Sequence, residues 1–135
     1  MDPTSRRYIG FTDGASRCSP NIASATWVIY SPSHELIHID EMCVGIATKN
    51  QAEYDDITGL LATFLQLGIH HLNVFLDSQL LVSQLNNHYR VHDPFLFRKF
   101  LHTKLIARAF DSITFTHVPR NLNSVADQMS NDILE

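Results

Sequence analysis

The sequence predicts an α/β fold on a five-stranded mixed sheet, with elements in the order βββαβααβα and helices on both faces. Three observations carry the prediction. Strand-like segments with tight turn signals open the chain. The hydrophobic period then changes from two to near four, and strands alternate with helices from there onward.

Tyr8 to Asp13 (YIGFTD) reads as a strand closed by the turn pair Asp13-Gly14, and Ala25 to Ser31 (ATWVIYS) as a second, turned by Pro32 and Ser33. Glu35 to Val44 supplies a third, completing an antiparallel meander. Ile57, Leu60, Leu61, Phe64 and Leu65 then recur at helical spacing, with Asn50 placed to cap the helix and Gly68 to end it. Leu72 to Asp77 (LNVFLD) is an apolar run ending in a polar residue, as a buried strand would be. Ser78 opens a short helix through Asn87. A second amphipathic segment, Pro94 to Phe110, carries Phe97, Phe100, Leu101, Leu105 and Ala109 on roughly one side. The last strand, SITFTHV, leads through Pro119 and a polar loop to a final helix from about Ser124 to Leu134. No internal repeat, low-complexity tract or linker interrupts this order.

A chain of 135 residues with 44% hydrophobic content suits one domain with a real core, with Met1 to Arg7 expected to be a flexible lead-in. Two cysteines, Cys18 and Cys43, are too few for a zinc cluster or a disulfide scaffold, which points to a reduced, intracellular chain. No apolar run approaches membrane-spanning length, and Met1 to Arg7 has no signal-peptide core. The net charge of -4 argues against a generic nucleic-acid binder held by a basic surface. Locally the balance reverses: Arg90, Arg98, Lys99, Lys104 and Arg108 fall between His88 and Arg108, with Asp93 the only acid. The eight histidines have no zinc-ligand spacing. They read as surface or packing residues, and Trp27 and the phenylalanines as core.

Four acids stand out, and each has a structural explanation. Asp13 can serve the turn, Asp77 can cap the following helix, and Glu53 and Asp127, three residues after Asn50 and Ser124, can complete capping boxes. Two details weigh against that. Glu53 is four residues before Ile57 and seven before Leu60, on the buried stripe of its helix, where a carboxylate wants a counter-charge. Asp13 and Asp77 end strands that, if parallel neighbours, bring both side chains to the same sheet edge, where such sheets place their sites. No nearby Lys or Arg offers either a partner, so the predicted counter-charge is a divalent cation held by carboxylate oxygens. Asp127 falls beside its helix's inner stripe of Val125, Ala126, Met129 and Ile133, and on this reasoning its role stays open.

Four segments carry a resemblance over nearly the whole chain: FTDGAS from Phe11, TKNQAEY from Thr48, LDSQLLVSQLN from Leu76 and HVPRNLNSVAD from His117. In this order the chain resembles a type 1 ribonuclease H, in the compact form common in plant and retroelement proteins. The resemblance implies a ribonuclease H-like fold in which Asp13, Glu53, Asp77 and Asp127 are catalytic and hold two Mg²⁺ ions, with Mn²⁺ as an alternative. The reaction it implies is hydrolysis of the RNA strand of an RNA/DNA hybrid, leaving 5′ phosphate and 3′ hydroxyl ends. Backbone near Ser16 and Arg17, the Lys49-Asn50-Gln51 segment and Glu53 would read the RNA 2′-hydroxyls. Thr48 would contact a phosphate of the DNA strand, and Ser78 belongs with the substrate-binding residues.

The chain departs from the family's pattern in three places. Cys18 to Asn21 replaces a Gly-rich turn, which puts substrate affinity in question. The loop before Asp127 is short, so His117 is expected to end a strand, and Arg120 becomes the candidate for the family's assisting histidine. His88 to Asp93 is too short for the family's basic protrusion, for which the Arg90 to Arg108 cluster would be a smaller substitute. Hybrid binding is therefore expected to be weak and salt-sensitive. The expected state is a monomer acting on RNA/DNA hybrid without a membrane or a small-molecule cofactor, alone or within a larger polyprotein. The alternatives are a catalytically weak or inactive ribonuclease H-like module that binds nucleic acid or protein, and another nuclease or transposase on the same sheet.

Overall fold

The computed structural model describes residues 7–13, 17–19, 22–45 and 48–119, with side chains described for 7–12, 26–43 and 48–119. The strands are β1 (Tyr8–Asp13), β2 (Arg17–Ser19), β3 (Ile22–Tyr30), β4 (Leu36–Gly45), β5 (His71–Leu76) and β6 (Ser112–His117). The helices are α1 (Lys49–Gln66), α2 (Gln79–Leu85) and α3 (Pro94–Ala107). All five expected strands are present. β2 is an addition, pairing Arg17 with Ala23 at the start of a β3 that begins earlier than expected. Three residues are too few to show a period, which is why it escaped the pattern.

β3 runs antiparallel to β1 and β4, while β5 is parallel to both β1 and β6. The meander and its parallel extension are as expected. α1, α2 and α3 share one apolar cluster with the sheet, including Trp27, Ile57, Leu60, Phe64, Val74, Leu85 and Phe115. The final helix expected from Ser124 to Leu134 lies outside the described residues. No helix among the described residues is long and apolar enough to cross a membrane.

Local chemistry sets the helix boundaries. Thr48, not Asn50, caps α1: its hydroxyl accepts from Gln51 N at 3.2 Å, and Gln51 Oε1 accepts from Thr48 N at 3.3 Å, a closed capping box. Gly68, at φ 73°, ends the helix as expected. Thr48→Ala is expected to cost about 1 kcal/mol in urea denaturation, and Asn50→Ala less than about 0.5 kcal/mol.

Three further points correct the sequence reading. Arg7 is tied down, its Nη1 donating to Asn73 Oδ1 at 3.0 Å. Cys43, exposed on β4, is held in a disulfide rather than reduced. On α3, Phe100 packs against the core, but Phe97, Leu101 and Leu105 face outward. Leu96 and Thr103 take the inward positions, with Thr103 and Thr58 hydroxyls 3.1 Å apart and Lys99 Nζ donating to Asp55 Oδ1 at 2.6 Å.

Candidate active site

The parallel pairing of β1 with β5 brings Phe11 opposite Phe75. Asp13 and Asp77 each lie two residues further on, so both strands deliver an acid at the same sheet edge. α1 begins beside this edge and places Glu53 on its buried side, 8% exposed.

The capping explanations for two of the acids fall away. Thr48 and Gln51 form the box at the start of α1, so Glu53 has no part in it. Ser78, not Asp77, caps α2, its hydroxyl accepting from Leu81 N at 3.3 Å. Neither carboxylate is thus a helix cap, and among the described residues neither has a Lys or Arg within ion-pair distance.

Burial pushes the Glu53 carboxyl above its ordinary range, and the negative charge of Asp77 pushes it further. Lys49 and a hydrogen bond from the Ser78 hydroxyl pull the other way, more weakly. Glu53 Oε2 is buried with no hydrogen-bond partner among the described residues. A buried oxygen without a donor, beside a second carboxylate, fits a hard divalent cation with oxygen ligands. Such an ion would offset both the desolvation and the repulsion.

This environment has a pH signature. A carboxyl whose folded pKa lies above its unfolded value contributes stability that is complete below the ordinary 4.5 and is lost as pH rises through the raised value. In metal-free buffer Glu53→Gln is therefore expected to melt a few degrees above the parent at pH 7, with the gap closing toward pH 4. Thermal melts across that range check it.

The other residues singled out from sequence are placed unevenly. Lys49 is exposed and Asn50 and Gln51 half-buried on the first turn of α1, while the Thr48 hydroxyl is engaged in the cap. His117 ends β6 and is exposed, as expected. Arg17 is described in its backbone only. Ser16, Arg120, Asp127 and the Asp13 side chain lie outside the described residues. No group of three or more His, Cys, Asp or Glu suited to a metal occurs among the described residues, which include the side chains of only Glu53 and Asp77 from the four acids. The Ser78–Glu53 bond was not visible in sequence, because it depends on how α1 meets the β5–α2 link.

The model of the Reverse transcriptase-like family matches residues 11–133. The crystal structure of RNase H1 from Halobacterium salinarum is 35% identical with a TM-score of 0.81, over 87% of this chain and 89% of that one. The chain belongs to the type 1 ribonuclease H family. All four acids fall within the matched span. The amino-terminal RNase H domain of a bifunctional Mycobacterium tuberculosis protein is 30% identical with a TM-score of 0.81, over 94% of this chain and 92% of that one. LC11-RNase H1, whose structure is in complex with an RNA/DNA hybrid, is 29% identical with a TM-score of 0.80, over 90% and 92%. The chain spans 65% of the length of the curated Halobacterium ribonuclease HI and 34% of the mycobacterial protein.

Proposed function

We propose that this chain is a metal-dependent endonuclease that hydrolyses the RNA strand of RNA/DNA hybrids. The observation that carries the reading is Glu53, buried beside Asp77 with one oxygen unpartnered and no Lys or Arg within ion-pair distance among the described residues. Family membership and the hybrid bound to LC11-RNase H1 support the substrate. Asp13, Glu53, Asp77 and Asp127 would hold two Mg²⁺ ions, or Mn²⁺. When bound, such ions supply activation of the attacking water and stabilisation of the departing 3′ oxygen.

The chain's own residues prepare that site. Ser78, whose hydroxyl oxygen caps α2, interacts with Glu53 and favours its charged form, so α1 and the end of β5 meet at this carboxylate. Lys49, exposed on the first turn of α1, adds positive charge where a phosphodiester would approach, together with the amino-terminal end of the helix dipole. Asn50 and Gln51 share that turn, and we assign them, with Ser16 and Arg17, to the RNA 2′-hydroxyls. Arg120 is assigned to assisting product departure.

The test is a labelled hybrid incubated in Mg²⁺ beside duplex DNA, duplex RNA and single-stranded RNA. The expected result is cleavage of the hybrid's RNA strand alone, stopped by chelator and weakened by added salt, because basic contacts to phosphate compete with counterions. A folded sample that leaves the hybrid intact in both Mg²⁺ and Mn²⁺ at low salt would instead identify a non-catalytic binding module.

A further inference from the structure

The outward face of α3 carries apolar surface that the core does not use. Phe97, Leu101 and Leu105 are spaced four residues apart and are 41, 44 and 60% exposed, forming one ridge on the helix. Tyr89 and Phe95, near its amino-terminal end, are 64 and 68% exposed. At 1.5 Å per residue the ridge runs for roughly 12 Å, about two helical turns. The helix cannot roll to bury it. Its opposite side is fixed by Leu96 in the core, by Thr103 against Thr58, and by Lys99 on Asp55.

Charge marks the same face. Lys99 is held by Asp55, and Lys104 Nζ donates to Leu85 O at 2.8 Å, so both point their charge at the chain itself. Arg98 and Arg108 are exposed and form no ion pair among the described residues. An apolar ridge flanked by uncommitted arginines asks for an occupant with an apolar stripe and acidic edges.

We propose that the outward face of α3, the Phe97–Leu101–Leu105 ridge with Arg98 and Arg108, is a docking site for an acidic amphipathic helix of a partner protein. A helix fits because a four-residue ridge packs into the grooves of another helix. Two competing occupants fit less well. Nucleic acid would use the arginines and the Phe97 ring, but Leu101 and Leu105, which make up the rest of the ridge, offer it neither charge nor a stacking surface. A second copy meeting through the same face would set Arg98 and Arg108 among their own images, with Asp93 the only acid on the segment to offset them.

The test uses the full chain and two synthetic helical peptides of about 18 residues with the same leucine stripe, one edged with Glu and the other with Lys. Binding is read by fluorescence anisotropy, and the contact is mapped by amide shifts in NMR spectra. The Glu-edged peptide is expected to bind at least about tenfold more tightly than the Lys-edged one, with shifts centred on α3. Leu101→Glu with Leu105→Glu should weaken it at least about tenfold, and Arg98→Glu with Arg108→Glu should reverse the preference between the peptides. These positions are exposed, so melting temperatures close to the parent's confirm that each variant is folded. Equal or absent binding of the two peptides, or shifts away from α3, overturns the proposal. It is equally overturned if RNA/DNA hybrid moves the Leu101 and Leu105 signals, or if the chain self-associates through this face and Leu101→Glu with Leu105→Glu abolishes the association.

Discussion

Asp77→Asn is expected to reduce hybrid cleavage by at least about a thousandfold, or about 4 kcal/mol in transition-state stabilisation, while leaving the metal-free protein as stable as before or more so. The two effects share one cause. Asn keeps the side chain's size and one carbonyl oxygen but removes the charge that a divalent cation needs. The same charge is one of the two influences that push the Glu53 carboxyl upward, so its removal relieves repulsion in the folded state. Activity and apo stability should therefore move in opposite directions, which a residue of purely structural value would not show. Single-turnover cleavage and thermal melts in chelator, made on the same sample, check both halves. Mg²⁺ should raise the melting temperature of the parent by mass action and raise that of Asp77→Asn much less. Cleavage near the parent level by Asp77→Asn would remove Asp77 from the metal site.

Gly59→Ala is expected to destabilise the fold by about 2 kcal/mol, although Ala in the middle of a helix normally gains about 1 kcal/mol over Gly. A Cβ at Gly59 would sit 2.5, 2.6 and 3.0 Å from Cη2, Cζ3 and Cζ2 of Trp27. The indole cannot slide away cheaply, because it is buried and its Nε1–H donates to Thr63 Oγ1 at 2.9 Å. Both Gly59 and Thr63 belong to α1, so the ring is clamped against the helix from which the new methyl would grow. Trp27→Phe removes the ring atoms that clash. Combined with Gly59→Ala, it should give a double variant less destabilised than the sum of the two singles. Urea denaturation of the four proteins measures this, and strict additivity would mean that the clash is relieved elsewhere.

Much of this architecture was legible because it depends on local pattern. The strand ends at Asp13 and Asp77, the stripe from Ile57 to Leu65 and the stop at Gly68 can each be read within a few residues. The parallel pairing of β1 with β5 was the condition on which the shared edge rested, and the structure meets it. What was not legible depends on contacts across the chain. On α3, Phe97, Leu101 and Leu105 recur at helical spacing, but so do Leu96, Phe100 and Thr103. Partners on α1, Thr58 and Asp55, decide which set turns inward. The cap of α1 was misplaced by two residues because Thr48 and Asn50 are both good capping types, and only the return bond from Gln51 separates them. In the site itself, the burial of Glu53 was visible from its helical position. Its contact with Ser78 was not, since no periodicity relates a helix to the link after a distant strand.

Under the proposed function, the register between β1 and β5 would also act as a proofreading step. Successive residues of a strand face opposite sides of a sheet, so a slip of one position would invert position 13 relative to position 77 and carry it about 3.3 Å along the strand. A chain trapped in that state would keep its hydrogen-bonded ladder yet lack the convergent acids. It would be inert toward nucleic acid rather than a careless cutter of it. If the acids hold divalent ions as proposed, those ions would draw such a chain toward the native alignment and would select for correctly assembled molecules before any substrate arrives.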